Sequence, residues 1–270
     1  MEHATAPTRR VTAARTVRLG IAIVGAATIV ALTAVPAPAR TIRSACTVAP
    51  TANGRYVAFL YGEILGRCPD AAAAQFWTAR LDGGATRWSV AEALDTSTEN
   101  LGRNNVDGLY QGLLGRAPTA GERSHWIDFL RKAHANAVPT AALLASEEGY
   151  RLHTSAATTA KRDEEWLAYA YNRILDRAPD PQGAAHYLRK FGSKGSTSAT
   201  RYAVAMSLEL SSSNARSWVR AAMTEALGRT PDAAGVRYWT GWLTGRGGWR
   251  TFQLWTHLLS SDEAYRRAQA

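Results

Sequence analysis

The chain has 270 residues, 46% hydrophobic and 20% charged, with a formal net charge of +10. That composition excludes wholesale disorder and is enough for a sizeable core in one or two domains. Only two cysteines are present, with no Cys-x-x-Cys and no Cys/His cluster, which excludes the usual structural zinc sites.

The N-terminus predicts export. Arg9, Arg10, Arg15 and Arg18 form a basic region, Leu19 to Val35 is an uncharged run, and Ala37-Pro38-Ala39 places small residues where a signal peptidase reads. A signal peptide is expected over residues 1–39 and a secreted or cell-surface protein after cleavage. An uncleaved membrane anchor is the alternative, because the run is at the short end of the ~20 apolar residues that a span needs. Arg9-Arg10 is also a weak match to a twin-arginine signal. Without residues 1–39 the chain keeps 28 basic and 21 acidic side chains, a net of +7. Such a surface draws in acidic wall polymers or anionic lipid, or simply keeps the protein soluble. Export argues against nucleic acid as a partner despite the charge. In an oxidising compartment Cys46 and Cys68 are expected to form one disulfide.

Next comes internal repetition. Ile64-Leu65-Gly66-Arg67-Cys68-Pro69-Asp70 recurs as Leu113 to Thr119, Ile174 to Asp180 and Ala226 to Asp232. Six residues before each Arg stands Tyr61, Tyr110, Tyr171 or Met223. Eleven before it stands Tyr56, Trp166 or Trp218, with Asn105 as the exception. Ten after it stands Trp77, Trp126, Tyr187 or Trp239, and about thirty after it a Ser-x-Glu: Ser97/Glu99, Ser146/Glu148, Ser207/Glu209 and Ser261/Glu263. The expected organisation is an extension at 40–54, then four helical segments at 55–103, 104–152, 165–214 and 215–270, with a polar linker at 153–164. The stretch 151–164 is expected to part the chain into two halves.

Each segment predicts about three helices, so the fold class is all-α tandem repeat. Tyr56, Leu60, Tyr61, Ile64 and Leu65 fall at three-and-four spacing, one buried helix face. Gly66, Gly115 and Gly228 suit a left-handed helix cap, and Asp176 takes their place less well. Asp70, Thr119, Asp180 and Asp232 fit the N-cap of a second helix, and Thr119 with Glu122 makes a capping box. Gly192 to Thr200 is expected as a flexible loop. No alternating β-branched pattern with hairpin turns appears.

The pattern Tyr61 to Asp70, then Phe76-Trp77, then Leu94 to Glu99, with its equivalents, resembles the bacterial family known as domain of unknown function 4214. It is faintly similar to phycobilisome linker domains as well. The resemblance implies a small helical domain of exported or surface proteins, and it brings no catalytic residues.

Catalytic signatures are missing: no Gly-x-Ser-x-Gly, no phosphate loop, no His-Glu-x-x-His. No cofactor and no metal are expected, and the protein is expected not to be an enzyme. His125 and His186 share a slot with Phe76 and Tyr238 and are expected to pack. Arg67, Arg116, Arg177 and Arg229 are expected to pair with Glu99, Glu148, Glu209 and Glu263 as a structural motif, since a planar guanidinium matches a carboxylate; a row of arginines reading an anionic polymer is the alternative. Trp242, Arg246, Trp249, Arg250 and Trp255 gather unshared aromatics and cations in the last segment. They are the candidate ligand contacts, against a capping repeat with extra core rings. The functional expectation is a binding module for cell-wall polymer, extracellular polysaccharide or a surface protein. A scaffold without a ligand is the first alternative and a secreted glycan hydrolase the second.

Overall fold

The structure is a computed structural model that describes residues 46–246 and 248–270. The expected signal peptide at 1–39, with Arg40 to Ala45 of the extension, lies outside the described residues. Those residues form fourteen α-helices and two π-helical stretches, with no strand among them. Helix α1 (Ala52–Leu60) continues into a π-helical turn (Tyr61–Leu65), followed by α2 (Ala71–Asp82) and α3 (Arg87–Asp95). A second π-helical stretch (Asn100–Val106) leads into α4 (Asp107–Leu114), then α5 (Ala120–Ala133), α6 (Ala137–Ala145) and α7 (Glu147–Leu152). The third segment holds α8 (Thr159–Leu175), α9 (Pro181–Phe191) and α10 (Ser198–Glu209). The last holds α11 (Ser212–Leu227), α12 (Ala233–Thr244), α13 (Thr251–Leu259) and α14 (Asp262–Arg267). No helix of the described residues is long and apolar enough to cross a membrane.

Local chemistry explains the turns. Gly66, Gly115, Asp176 and Gly228 have φ of 69°, 67°, 52° and 69°. Each ends a helix in the left-handed region, which glycine adopts freely and aspartate tolerates better than most residues. A new helix then starts at a side-chain cap. Asp70 accepts from the Ala73 amide, Asp180 from Gly183 and Asp232 from Gly235. Thr119 and Glu122 complete the capping box. Asn105, the exception to the aromatic slot, lies in the second π-helical stretch, where its Nδ2 donates to the Asn100 carbonyl at 3.0 Å.

Packing departs from the expected two halves. The largest buried cluster joins the first and last segments: Tyr56, Phe59, Leu60 and Leu94 pack with Val219, Met223, Leu254 and Leu258. A second cluster joins the middle segments, with Ala141 and Tyr150 against Trp166, Leu167 and Leu208. Helix α13 lies along α3, and α10 along α6. The stretch 151–164 does not part these bodies, because His153 stacks on Tyr169 at 3.6 Å and meets the Leu113 carbonyl at 2.7 Å. A third cluster, mostly from the second segment, takes in Phe252 of the last. The Phe252 amide donates to the His134 carbonyl at 3.0 Å.

The extension is tied down covalently. A disulfide joins Cys46 to Cys68, with the two Cα atoms 5.3 Å apart, a span that the bond accommodates.

Candidate functional site

Three of the four motif arginines make the expected pair. Arg67 donates from Nε and Nη2 to the two oxygens of Glu99 at 2.6 and 2.7 Å. Arg116 does the same to Glu148 at 2.6 and 2.8 Å and also holds Glu122. Arg229 pairs in the same way with Glu263. Each guanidinium also donates to the carbonyl of the next residue, at Cys68, Ala117 or Thr230. These contacts pull Glu99, Glu148 and Glu263 below the usual carboxylate range. For Glu122, the Arg116 guanidinium and the Thr119 amide carry the value down to about 2.

The fourth pair, Arg177 with Glu209, does not form. Glu209 instead accepts from Asn214 Nδ2 at 3.1 Å, and among the described residues Arg177 donates to the Ala178 carbonyl and to Asp180. The cause is register. Ser97, Ser146 and Ser261 each cap the amide three residues on, and in the third segment that role falls to Ser211, not Ser207. Counted from the capping serine, the place of the paired glutamate belongs to Ser213. The capping serine comes 34 residues after Arg177 but 30 after Arg67, and the long loop from Gly192 lies between. The signal was present in the sequence: Leu208 precedes Ser211 by three, as Leu94 precedes Ser97. Ser207 is occupied elsewhere, 3.0 Å from the Tyr187 hydroxyl.

The candidate contacts of the last segment divide by burial. Trp255 is 4% exposed and belongs to the core, so it cannot present a face to a ligand; this corrects its place among the contacts. Trp242 is half-buried, 5.8 Å from Trp239 and 5.2 Å from His257. Trp88 stands 4.2 Å from the same imidazole, so the rings outside the repeat slots wrap His257, and burial lowers its pKa. Trp249 is half-buried with φ of 62° and packs on the core that joins first and last segments. Arg246 and Arg250 are exposed.

Trp249 lines a small cavity of about 30 Å³ with Asn136, Glu209, Asn214, Trp218 and Thr251. It lies where the second, third and last segments meet. Burial pushes Glu209 up to about 7, with Asn214 and Arg173 opposing. Asp95 holds the matching place in the first segment, just after Leu94 as Glu209 comes just after Leu208. It accepts from Asn100 Nδ2 at 3.0 Å, meets the Thr256 hydroxyl at 3.2 Å, and is likewise pushed up to about 7 by burial. Neither interior acid was distinguishable from the surface acids in the sequence.

The slot of Phe76, His125, His186 and Tyr238 corrects another expectation. All four side chains are exposed, not packed. Each stands edge-on to the next residue's ring: Phe76 on Trp77, His125 on Trp126, His186 on Tyr187 and Tyr238 on Trp239. The ring centres are 4.8, 4.9, 4.9 and 5.1 Å apart. The inner rings are half-buried and brace the outer ones. Phe76 and Tyr238 are 52% and 66% exposed.

The described residues are therefore all-helical, with three of the four Gly-Arg-x-Pro-type turns locked by an arginine–glutamate pair and with braced rings on the surface. Residues 45–104 match the family described as Domain of unknown function (DUF4214). No curated protein matches the chain, and no solved structure does.

Proposed function

We propose that the protein is an exported, non-catalytic binding module of four tandem helical copies that holds a cell-wall or extracellular polysaccharide at the cell surface. The observation that carries this is the set of four exposed, braced rings at one position of each copy. An exposed ring offers an apolar face to a sugar, and edge-on bracing fixes its orientation before the ligand arrives. The guanidinium of Arg80, 5.5 Å from the Phe76 ring centre, adds a hydrogen-bond donor beside one of these faces. The signal-like residues 1–39 and the disulfide support export, since disulfides persist outside the reducing cytosol.

The test is retention of the purified protein on isolated cell-wall polysaccharide, with Phe76→Ala and Tyr238→Ala, singly and together. Retention is expected to fall roughly tenfold in the double variant while stability stays within about 0.5 kcal/mol, as for exposed positions generally. Unchanged retention in the double variant removes the rings from the function. If the wild-type protein is not retained at all, the proposal yields to a scaffold without a polysaccharide ligand.

A further inference from the structure

The chain displays three times what the arginine of its Gly-Arg-x-Pro turn holds. At Arg67, Arg116 and Arg229 a glutamate carboxylate takes both Nε and Nη2, while Nη1 donates to the carbonyl of the following residue.

Arg177 has the same setting without the glutamate. Its Nη1 donates to Ala178 at 3.3 Å and to Asp180 at 3.4 Å. Its guanidinium lies 5.3 Å from the Tyr171 ring centre, against 5.2 Å for Arg67 at Tyr61 and 5.1 Å for Arg116 at Tyr110. Nε and Nη2 donate to no acceptor among the described residues. The residue that would supply one by register is Ser213, whose side chain carries no carboxylate. Glu209, the acid nearest to Ser213 in the sequence, is engaged by Asn214. The ring and the carbonyl thus hold a planar two-donor edge in the orientation that elsewhere grips two oxygens, and 47% of the side chain is open to solvent.

We propose that the Nε–Nη2 edge of Arg177 docks a carboxylate of an external ligand, namely the uronate groups of an acidic polysaccharide. A carboxylate fits because two parallel N–H donors match its two oxygens, as the three internal pairs demonstrate in this same turn. A polymer fits because one half-exposed ion pair is weak, while a chain of uronates returns a carboxylate to the fork whenever one leaves. The assignment rests on the polysaccharide-binding proposal and names the chemistry of its ligand. It also gives one motif arginine a role that the other three, already paired, do not have.

The experiment measures binding of the purified protein to polygalacturonate at low salt by calorimetry, with neutral wall polysaccharide as the second probe. Arg177→Gln is expected to weaken polygalacturonate binding roughly threefold to tenfold, that is, by up to the tenfold that ~1.4 kcal/mol represents, and to leave neutral polysaccharide unaffected. Arg151→Gln removes the same charge from another exposed position and is expected to change little. Ser213→Glu should supply the fourth internal partner, raise the melting temperature by about one or two degrees, and weaken polygalacturonate as Arg177→Gln does. Equal binding by wild type and Arg177→Gln overturns the inference, and so does an equal loss in Arg151→Gln. If neutral polysaccharide is bound and polygalacturonate is not, the uronate assignment alone fails. If neither is bound by the wild type, the broader proposal fails with it.

Discussion

Tyr56 donates its phenolic hydrogen to the carbonyl of Leu259, 3.1 Å away and 203 residues along the chain. Both residues are 0% exposed. The bond closes the chain, because it joins the first helix of the first segment to the third helix of the last. Arg87 with Asp262 and Glu63 with Arg267 make ion pairs across the same contact. Tyr56→Phe keeps the ring and leaves the Leu259 carbonyl buried without this donor. It should cost about 1–2 kcal/mol in denaturant unfolding, with the circular dichroism of the folded protein unchanged. No measurable loss would mean that closure does not depend on this bond.

Asp95 gives stability a pH dependence of definite sign. Its folded-state value is about 7 against an ordinary 3.8, so the folded chain holds the proton more tightly than the unfolded chain. This contribution is fully present in acid and is lost as pH rises through about 7. Glu209, raised from 4.5 to about 7, adds to the same trend. Asp95→Asn places an amide between Asn100 and Thr256 and removes one titration. The variant should gain a few kcal/mol at most relative to wild type at pH 8 and show no gain at pH 4. Melting curves across that range check it, and a gain that does not grow with pH rules it out.

The disulfide closes a loop with a sequence separation of 22. Restricting the unfolded chain to that extent stabilises by about 3 kcal/mol in the loop-entropy picture. Reduction, or Cys46→Ser with Cys68→Ser, should lower stability by that order and free residues before Thr51 for proteolysis. Equal stability of the oxidised and reduced protein is the contrary result.

Trp255 and Trp249 should respond differently to truncation. Trp255 is 4% exposed, so Trp255→Ala empties a place in the core and should cost about 3–5 kcal/mol. Trp249 is half-buried at the cavity beside Glu209, and Trp249→Ala should cost clearly less. Chemical denaturation of both variants decides it; equal losses would place Trp249 fully in the core. Retention on wall polysaccharide should survive Trp249→Ala if the exposed rings, and not the last loop, hold the ligand.

Much of the site was legible where the signal is local. The glutamates that pair with Arg67, Arg116 and Arg229 could be read from spacing, because 32, 32 and 34 residues through two short helices return the chain to the same turn. Reading failed at Glu209, where a longer loop moved the capping serine to Ser211 and put Ser213 at the register position of the paired glutamate. It failed also at His125 and His186. Sharing a slot with Phe76 and Tyr238 suggested packing, yet all four stand on the outer face of their helices. Identity of position was correctly inferred there, and burial was not, because aromatic type alone does not say which side of a helix faces water.

The sequence by itself determined the helices, their caps, the left-handed turns at Gly66, Gly115, Asp176 and Gly228, and the partner of Cys46. Each of these depends on residues close along the chain, through spacing, side-chain capping or the steric freedom of one residue. The tertiary structure alone decided that the first segment packs with the last and the second with the third. Four similar segments present four similar apolar stripes, and nothing local along the chain says which stripe covers which. Which ones meet depends on burying all four at once. That closure also took Asp95 into the core between α3 and α13 and brought Glu209 and Trp249 to one cavity.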